Sequence, residues 1–189
     1  MTDLDALAGS AALPEAPFDL LLAYEEGAKA QTERSAERSE APGLWRGIAF
    51  RVGSQWLISN IAEVKEILPP PPVTPVPGTK SWFLGVSNVR GNLAAIIDLK
   101  QLLEGERTTV NDRSRVLLAR QSDGFVGLLI DEVAGQRNLT DESEVFDAPY
   151  ADKRYAPFVK ALYQGEDRSW GVFSMTALTA AAEFRQAAL

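Results

Sequence analysis

The sequence predicts a mainly β, barrel-type fold, and three observations lead there. Short apolar runs alternate with polar positions, turn residues recur between those runs, and helix-like stretches are few and short. With 189 residues and 46% of them hydrophobic, the chain can bury a core without disulfide or metal staples.

Residues 1–43 stand apart as an acidic, partly helical extension. In "PFDLLLAYEEGAKAQTERSAERSE", Asp19 is placed to cap a helix bearing Leu20, Leu21, Leu22 and Tyr24, and a fully polar tail follows. The breakers in "SEAPG", Ser39 to Gly43, end it, leaving 44–189 as the folded domain.

From Leu44 the texture is that of strands. "LWRGIAFRVGSQWLISNI" alternates on either side of Gly53-Ser54, which reads as a hairpin turn. "AEVKEIL" continues as an extended or short edge strand. In "PPPPVTPVPG" the prolines at 69, 70, 71, 72, 75 and 77 cannot donate ladder hydrogen bonds, so the segment is a loop of polyproline character, read as a rigid connector, with a proline-rich ligand for another domain as the alternative. "TKSWFLGVSNV" predicts a helical turn and a lead-in. "NLAAIIDL" then follows as a buried strand, with Leu93, Ala94, Ala95, Ile96 and Ile97 all inside.

"LKQLLEGE" is a short helix stopping at Gly105. "SRVLLARQ" and "GFVGLLIDEV" flank Ser122-Asp123-Gly124 as a second hairpin. The polar stretch "VAGQRNLTDESEVFDAPYADKRYAPF" reads as loop, "VKALYQGEDRSWGVFSM" as a third hairpin, and "TALTAAAEFRQAAL" as a closing helix. Eight or nine strands result.

Composition removes whole classes of chemistry. The chain has no cysteine and no histidine, which excludes thiolate zinc sites, cysteine nucleophiles and Ser–His–Asp machinery. There is no EF-hand spacing, phosphate loop or dinucleotide fingerprint, so no metal, cofactor or catalytic residue is assigned. Of the net charge of −7, the first 43 residues carry −6, and no basic stripe compensates, so nucleic acid is a poor partner. With no signal-peptide layout and no apolar stretch near the ~20 residues that span a bilayer, the expected location is the cytoplasm, without membrane insertion.

Five acids lie near strand ends: Glu63, Glu66, Asp98, Asp131 and Glu132. Two of them in one cleft could share acid–base work, as in a carboxylate-based hydrolase on a β-barrel, but Asp98 is placed to cap "LKQLL" and Asp131 to close a turn. Among the tryptophans at 45, 56, 82 and 170, Trp82 beside the proline run is the one expected at the surface. Arg90 stands before Gly91, at the lip of a buried strand. It is either a solvated or ion-paired surface residue or an interface arginine, whose planar fork suits carboxylates and carbonyls. Gly91 and Gly85 suit positive φ or a close backbone approach.

"FLGVSNVRGNLAAIIDL", Phe83 to Leu99, resembles the signature of CheW-like adaptor domains: a Gly-Val, an Asn-x-Arg-Gly, then a strand ending Ile-Asp-Leu. "GIAFRVGSQWLISNIAEVKEIL" is similar to that family's opening hairpin and Val-x-Glu-Ile element. "FVGLLIDEV" resembles its Val-Gly-Leu-x-Val-Asp strand, and "VKALYQGEDRSWGVFSMTAL" its closing hairpin. The four elements come in order and cover about Leu44 to Leu178.

The resemblance implies a CheW-like fold of two small antiparallel, five-stranded, SH3-like β-barrels packed across an apolar seam, with short helices. It implies a non-catalytic adaptor between the cytoplasmic tip of a methyl-accepting chemoreceptor and the CheW-like regulatory domain of a CheA-type histidine kinase. Such an adaptor is cytoplasmic and recruited to membrane-associated receptor arrays. The acidic extension, "SWFLGVSNVRG" and "WGVFSMTAL" are similar to the branch that serves type IV pili and twitching motility; flagellar chemotaxis or another surface-sensing pathway is the alternative. Residue by residue, the resemblance places Arg90, Asn88, Val89, Gly91, Gly85, Val64 and Glu66 at or near partner contacts. Two positions depart from the family pattern, Ala95 where proline is usual and Ala161 where glycine is frequent.

Overall fold

Gly53 and Ser54 turn the chain back on itself, and β1 (Leu44–Val52) pairs with β2 (Gln55–Asn60) from Val52↔Gln55 to Gly47↔Asn60. Gly53 has the positive φ, +57°, that such a tight turn needs. The computed structural model describes residues 44–121, 124–140, 145–146, 150–165 and 168–187. The expected N-terminal helix, Ser122-Asp123 and Glu166-Asp167 lie outside the described residues.

A single 3₁₀ turn, Ile61–Glu63, leads into β3 (Val64–Leu68), and the proline segment follows. β4 (Phe83–Val89) and β5 (Asn92–Asp98) form a hairpin, ended by the helix Leu99–Glu104. That helix has the predicted punctuation. The Asp98 carboxylate accepts from the Gln101 N–H at 3.1 Å, and Gly105 ends the helix in the left-handed region at φ +78°. β6 (Arg115–Gln121) and β7 (Gly124–Ile130) pair as predicted, as do β10 (Val159–Gln164) and β11 (Ser169–Phe173).

The strands make two sheets. With β8 (Glu132–Thr140) and β9 (Val145–Phe146) included, the orders are β8-β1-β2-β11-β10-β9 and β3-β6-β7-β5-β4. The mainly β class and the two-sheet architecture are as expected, with a two-residue sixth strand in one sheet. Each sheet also has one parallel pair, β2 with β11 and β5 with β7, where strands distant in sequence meet.

Three apolar clusters follow from strand parity. Successive side chains point to opposite faces, so each sheet buries one face in its own interior and shares the other. Ala94, Ile96, Val116, Leu118 and Leu129 fill the five-stranded sheet. Ala49, Ile58, Leu139 and Trp170 fill the six-stranded one. The seam between them joins Phe50, Leu57 and Phe173 of one sheet to Ile97, Leu117, Leu128 and Ile130 of the other. Gly127 is small because a Cβ there would come within 2.6 Å of Val116 and 2.8 Å of Ile96.

Several expectations are corrected. Residues 83–89 are a strand, not a helical lead-in, because β5 supplies a full ladder for them. Residues 134–140, read as loop, belong to β8, which pairs with β1 from Arg51↔Glu132 to Leu44↔Thr140. Gln136, Arg137 and Asn138 are exposed in a row there, so the middle of this edge strand has no hydrophobic alternation. Trp82 is 6% exposed, not at the surface; its ring stacks on Phe184 at 6.2 Å. The closing helix is two pieces, Met175–Ala180 and Ala182–Arg185, because Ala181 is extended at ψ 140°. Leu93, expected inside, is 69% exposed. The described residues hold eleven strands rather than eight or nine.

Candidate functional site

The β4–β5 hairpin closes through a loop of two residues, Arg90 and Gly91, between the paired Val89 and Asn92. Both have positive φ, +50° and +84°, as a type I′ turn requires. Asparagine, aspartate or glycine is the usual first residue of such a turn, because a longer side chain in the left-handed region costs about 1–2 kcal/mol. Here that place is held by arginine. The Asn88 side chain secures the loop by accepting from the Gly91 N–H at 2.8 Å.

The Arg90 side chain is 79% exposed and its Nη2 lies 2.7 Å from Glu66 Oε1, whose side chain is 24% exposed. Glu66 is on β3 and Arg90 follows β4, the two terminal strands of the five-stranded sheet. The ion pair therefore joins the sheet's first and last strands. An exposed pair of this kind contributes about 0–1 kcal/mol, no more than the backbone conformation costs. Fold stability thus gives no reason for arginine at position 90. Backbone strain that the fold does not need is a mark of a functional position.

The other expected site residues occupy different depths. Asn88 and Gly91 are exposed beside Arg90, and Leu93, paired with Asn88 across the hairpin, adds an apolar surface. Val89 is buried and anchors the tip in the sheet interior. Val64 is half-buried against the seam, at the start of β3. Gly85 is buried with φ +139°, and a Cβ there would lie 2.1 Å from the Thr74 carbonyl oxygen. The structure thus brings Arg90, Asn88, Gly91 and Glu66 together at one surface, with Val89, Val64 and Gly85 beneath or behind it.

Sequence reasoning missed Leu93 and the Glu66 partnership. Turn parity held the first signal: once Arg90-Gly91 is a two-residue loop and Ala94 faces in, Leu93 must face out. The second had no local signal, since it depends on how the sheet curls.

The remaining acids have structural partners. Buried Asp98 also accepts from the Thr108 N–H at 2.9 Å and from its hydroxyl at 2.7 Å. Asp131 accepts from the Gly53 N–H at 2.7 Å, and Glu132 pairs with Arg51 at 2.6 Å. The Arg51 hydrogen bond holds the Glu132 carboxyl below its usual pKa. Glu63 accepts from the N–H groups of Met175 and Thr176 at 3.2 Å each and from the Thr176 hydroxyl at 2.6 Å, capping a helix distant in sequence. Burial, then the hydrogen bond to Glu104 at 2.8 Å, raises the Tyr155 phenol pKa.

An open groove of about 800 Å³ lies between the five-stranded sheet and the C-terminal helices. Ala95 lines it beside Ile97 and Val126, opposite Met175 and Phe184. Ala161 pairs with Val172, next to the irregularity in the β10–β11 ladder.

Comparison with known proteins shows the family and the fold. Residues 46–183 match the family model described as "CheW-like domain". Protein PilI of Pseudomonas aeruginosa is 34% identical over 164 residues, covering 87% of this chain and 92% of that protein. A probable chemotaxis protein CheW of Rhizobium etli is 38% identical over 95 residues, covering 50% of this chain and 61% of its own length. The crystal structure of scaffolding protein TtCheW from Thermoanaerobacter tengcongensis superposes with a TM-score of 0.64 at 20% identity, covering 74% of this chain and 94% of that one, a likeness of fold.

Proposed function

Because this chain belongs to the CheW-like domain family, scaffold adaptors of chemosensory signalling, we propose that it couples methyl-accepting chemoreceptors to a CheA-type histidine kinase in the control of type IV pili and twitching motility. The observation that carries the coupling role is Arg90: a cation on a strained two-residue turn, exposed, oriented by Glu66 and anchored by Val89. A rigid lip of this kind binds with little ordering cost, and arginine is enriched among residues that dominate interface energy. Asn88 and Gly91 shape the same surface. Val64, Gly85 and Val89 support it from below. No catalytic residue, metal or cofactor enters the role.

The pilus assignment is supported by the likeness to PilI, which runs along nearly the whole of both chains, whereas the likeness to the Rhizobium etli protein covers half of this one. Among the described residues no helix is long and apolar enough to cross a membrane. The proposed location is the cytoplasmic side of receptor arrays, reached by binding partners.

The test is co-purification of the wild-type chain and Arg90→Ala with the cell's CheA-type kinases and receptor tips. Micromolar binding is worth about −8 kcal/mol and one central arginine about 2–4 of it, so the variant should bind roughly 30- to 1000-fold more weakly while staying folded. Normal binding of both partners by folded Arg90→Ala overturns the role given to this residue. Cells lacking the chain should lose twitching and keep swimming; the reverse result assigns it to a flagellar pathway.

A further inference from the structure

We propose that the proline segment between β3 and β4 is a second contact surface, which packs into an aromatic-lined groove on a partner protein domain. A polyproline helix has three residues per turn, so Pro69, Pro72 and Pro75 fall on one edge. All three are exposed. Pro70 and Val73, one step on, are half-buried, and Val73 packs against the interior cluster of the five-stranded sheet. One edge of the segment therefore holds it to the protein and another is presented outward.

The segment is tied to the five-stranded sheet at Thr74. The Thr74 N–H donates to the Val86 carbonyl at 2.8 Å, and the Val86 N–H donates to the Thr74 carbonyl at 2.9 Å. Gly85 leaves room for this contact, since any Cβ there would meet the Thr74 oxygen. Further on, the Thr79 hydroxyl donates to the Val76 carbonyl at 2.7 Å, and the Lys80 N–H donates to the Ala187 carbonyl at 2.8 Å. A segment fixed in this way has little ordering left to lose when its exposed edge is bound.

The chemistry of the edge indicates its reader. Residues 67–79 contain no charged side chain, and proline offers a flat ring and a carbonyl acceptor but no N–H. Such ridges are read by grooves of aromatic side chains, whose faces take the rings while indole N–H or phenol O–H groups meet the carbonyls. The Thr74–Val86 bridge is antiparallel, so the ridge runs back toward the Glu66–Arg90 pair at the hairpin tip. The ridge therefore extends the surface on which Arg90 stands, without depending on the identity of the partner at Arg90.

The probe is an SH3 domain that binds PxxP peptides, titrated into the isotope-labelled full chain and followed by amide resonances. Saturable shifts at Val73, Thr74, Val76 and Gly78 are expected. The double variant Pro72→Ala/Pro75→Ala should weaken binding at least about tenfold, with the Thr74 amide still protected from exchange, which shows the segment still docked. Gly85→Ala keeps every proline but lifts the segment, so Thr74 protection and affinity should fall together. Absence of saturable shifts, or equal binding by the double variant, overturns the proposal. Self-association that the double variant abolishes, without SH3 binding, overturns it in favour of a second copy of the chain.

Discussion

Exchanging Arg90 for asparagine should separate binding from folding. Asparagine is a preferred first residue of a type I′ turn, and it relieves a left-handed conformation that costs arginine about 1–2 kcal/mol. The exchange also removes the 2.7 Å ion pair with Glu66. With one partner 79% exposed, that pair is screened and contributes about 0–1 kcal/mol. The difference lies between no change and a gain of about 1–2 kcal/mol, or a midpoint rise of up to roughly 2–8 °C for a domain of this size. Binding should move the other way, weakening about 30- to 1000-fold with the loss of the guanidinium. Urea denaturation and calorimetry read the first quantity, and titration with the kinase regulatory domain or a receptor tip fragment reads the second. A stability loss above about 1 kcal/mol would mean that Arg90 holds the sheet edges together, and unchanged affinity would mean that it touches no partner. Either result refutes the reasoning.

Glu63→Ala should destabilise the domain by about 1–2 kcal/mol, since four donors around the start of the helix Met175–Ala180, from Ser174, Met175 and Thr176, lose their acceptor. Hydrogen exchange should show that helix opening first, and an unchanged urea midpoint would deny the cap its role. Glu132→Gln tests the acid limb of stability. The folded Glu132 carboxyl titrates below its unfolded value, about 4.3, so its contribution is complete above that pH and is lost as pH falls through the folded pKa. Urea midpoints measured from neutral to acid pH should fall less steeply for the variant, and parallel curves would show that Arg51 does not stabilise the charge.

Local chemistry made the hairpins and caps legible in the sequence. Gly53-Ser54 and Asp98 with Gly105 each act within a few residues, so their spelling carries their geometry. The resemblance to a family supplied what local chemistry could not, the two-sheet architecture. Missed features depended on distant partners. Trp82 is buried by Phe184, about a hundred residues away, and nothing near Trp82 announces that ring. β8 was hidden because Gln136, Arg137 and Asn138 face water on an edge strand, where hydrophobic alternation fails. The Glu66–Arg90 contact exists only because the sheet curls until its first and last strands approach. Sequence placed both residues at the site by resemblance but could not show that they touch.

The membership of the two sheets bears on how the protein is made. Every strand of the five-stranded sheet falls between residues 64 and 130, whereas the six-stranded sheet draws on 44–60 and then on 132–173. One sheet is thus nested in the chain as an insertion within the other. A nascent polypeptide leaving the ribosome has the complete inner sheet in hand while β2 still waits for its neighbour β11, whose Gly171 lies opposite Leu57. Once the insertion has collapsed, the loop that must close to bring β2 to β11 is effectively shorter, so the nesting lowers the entropic cost of completing the outer sheet.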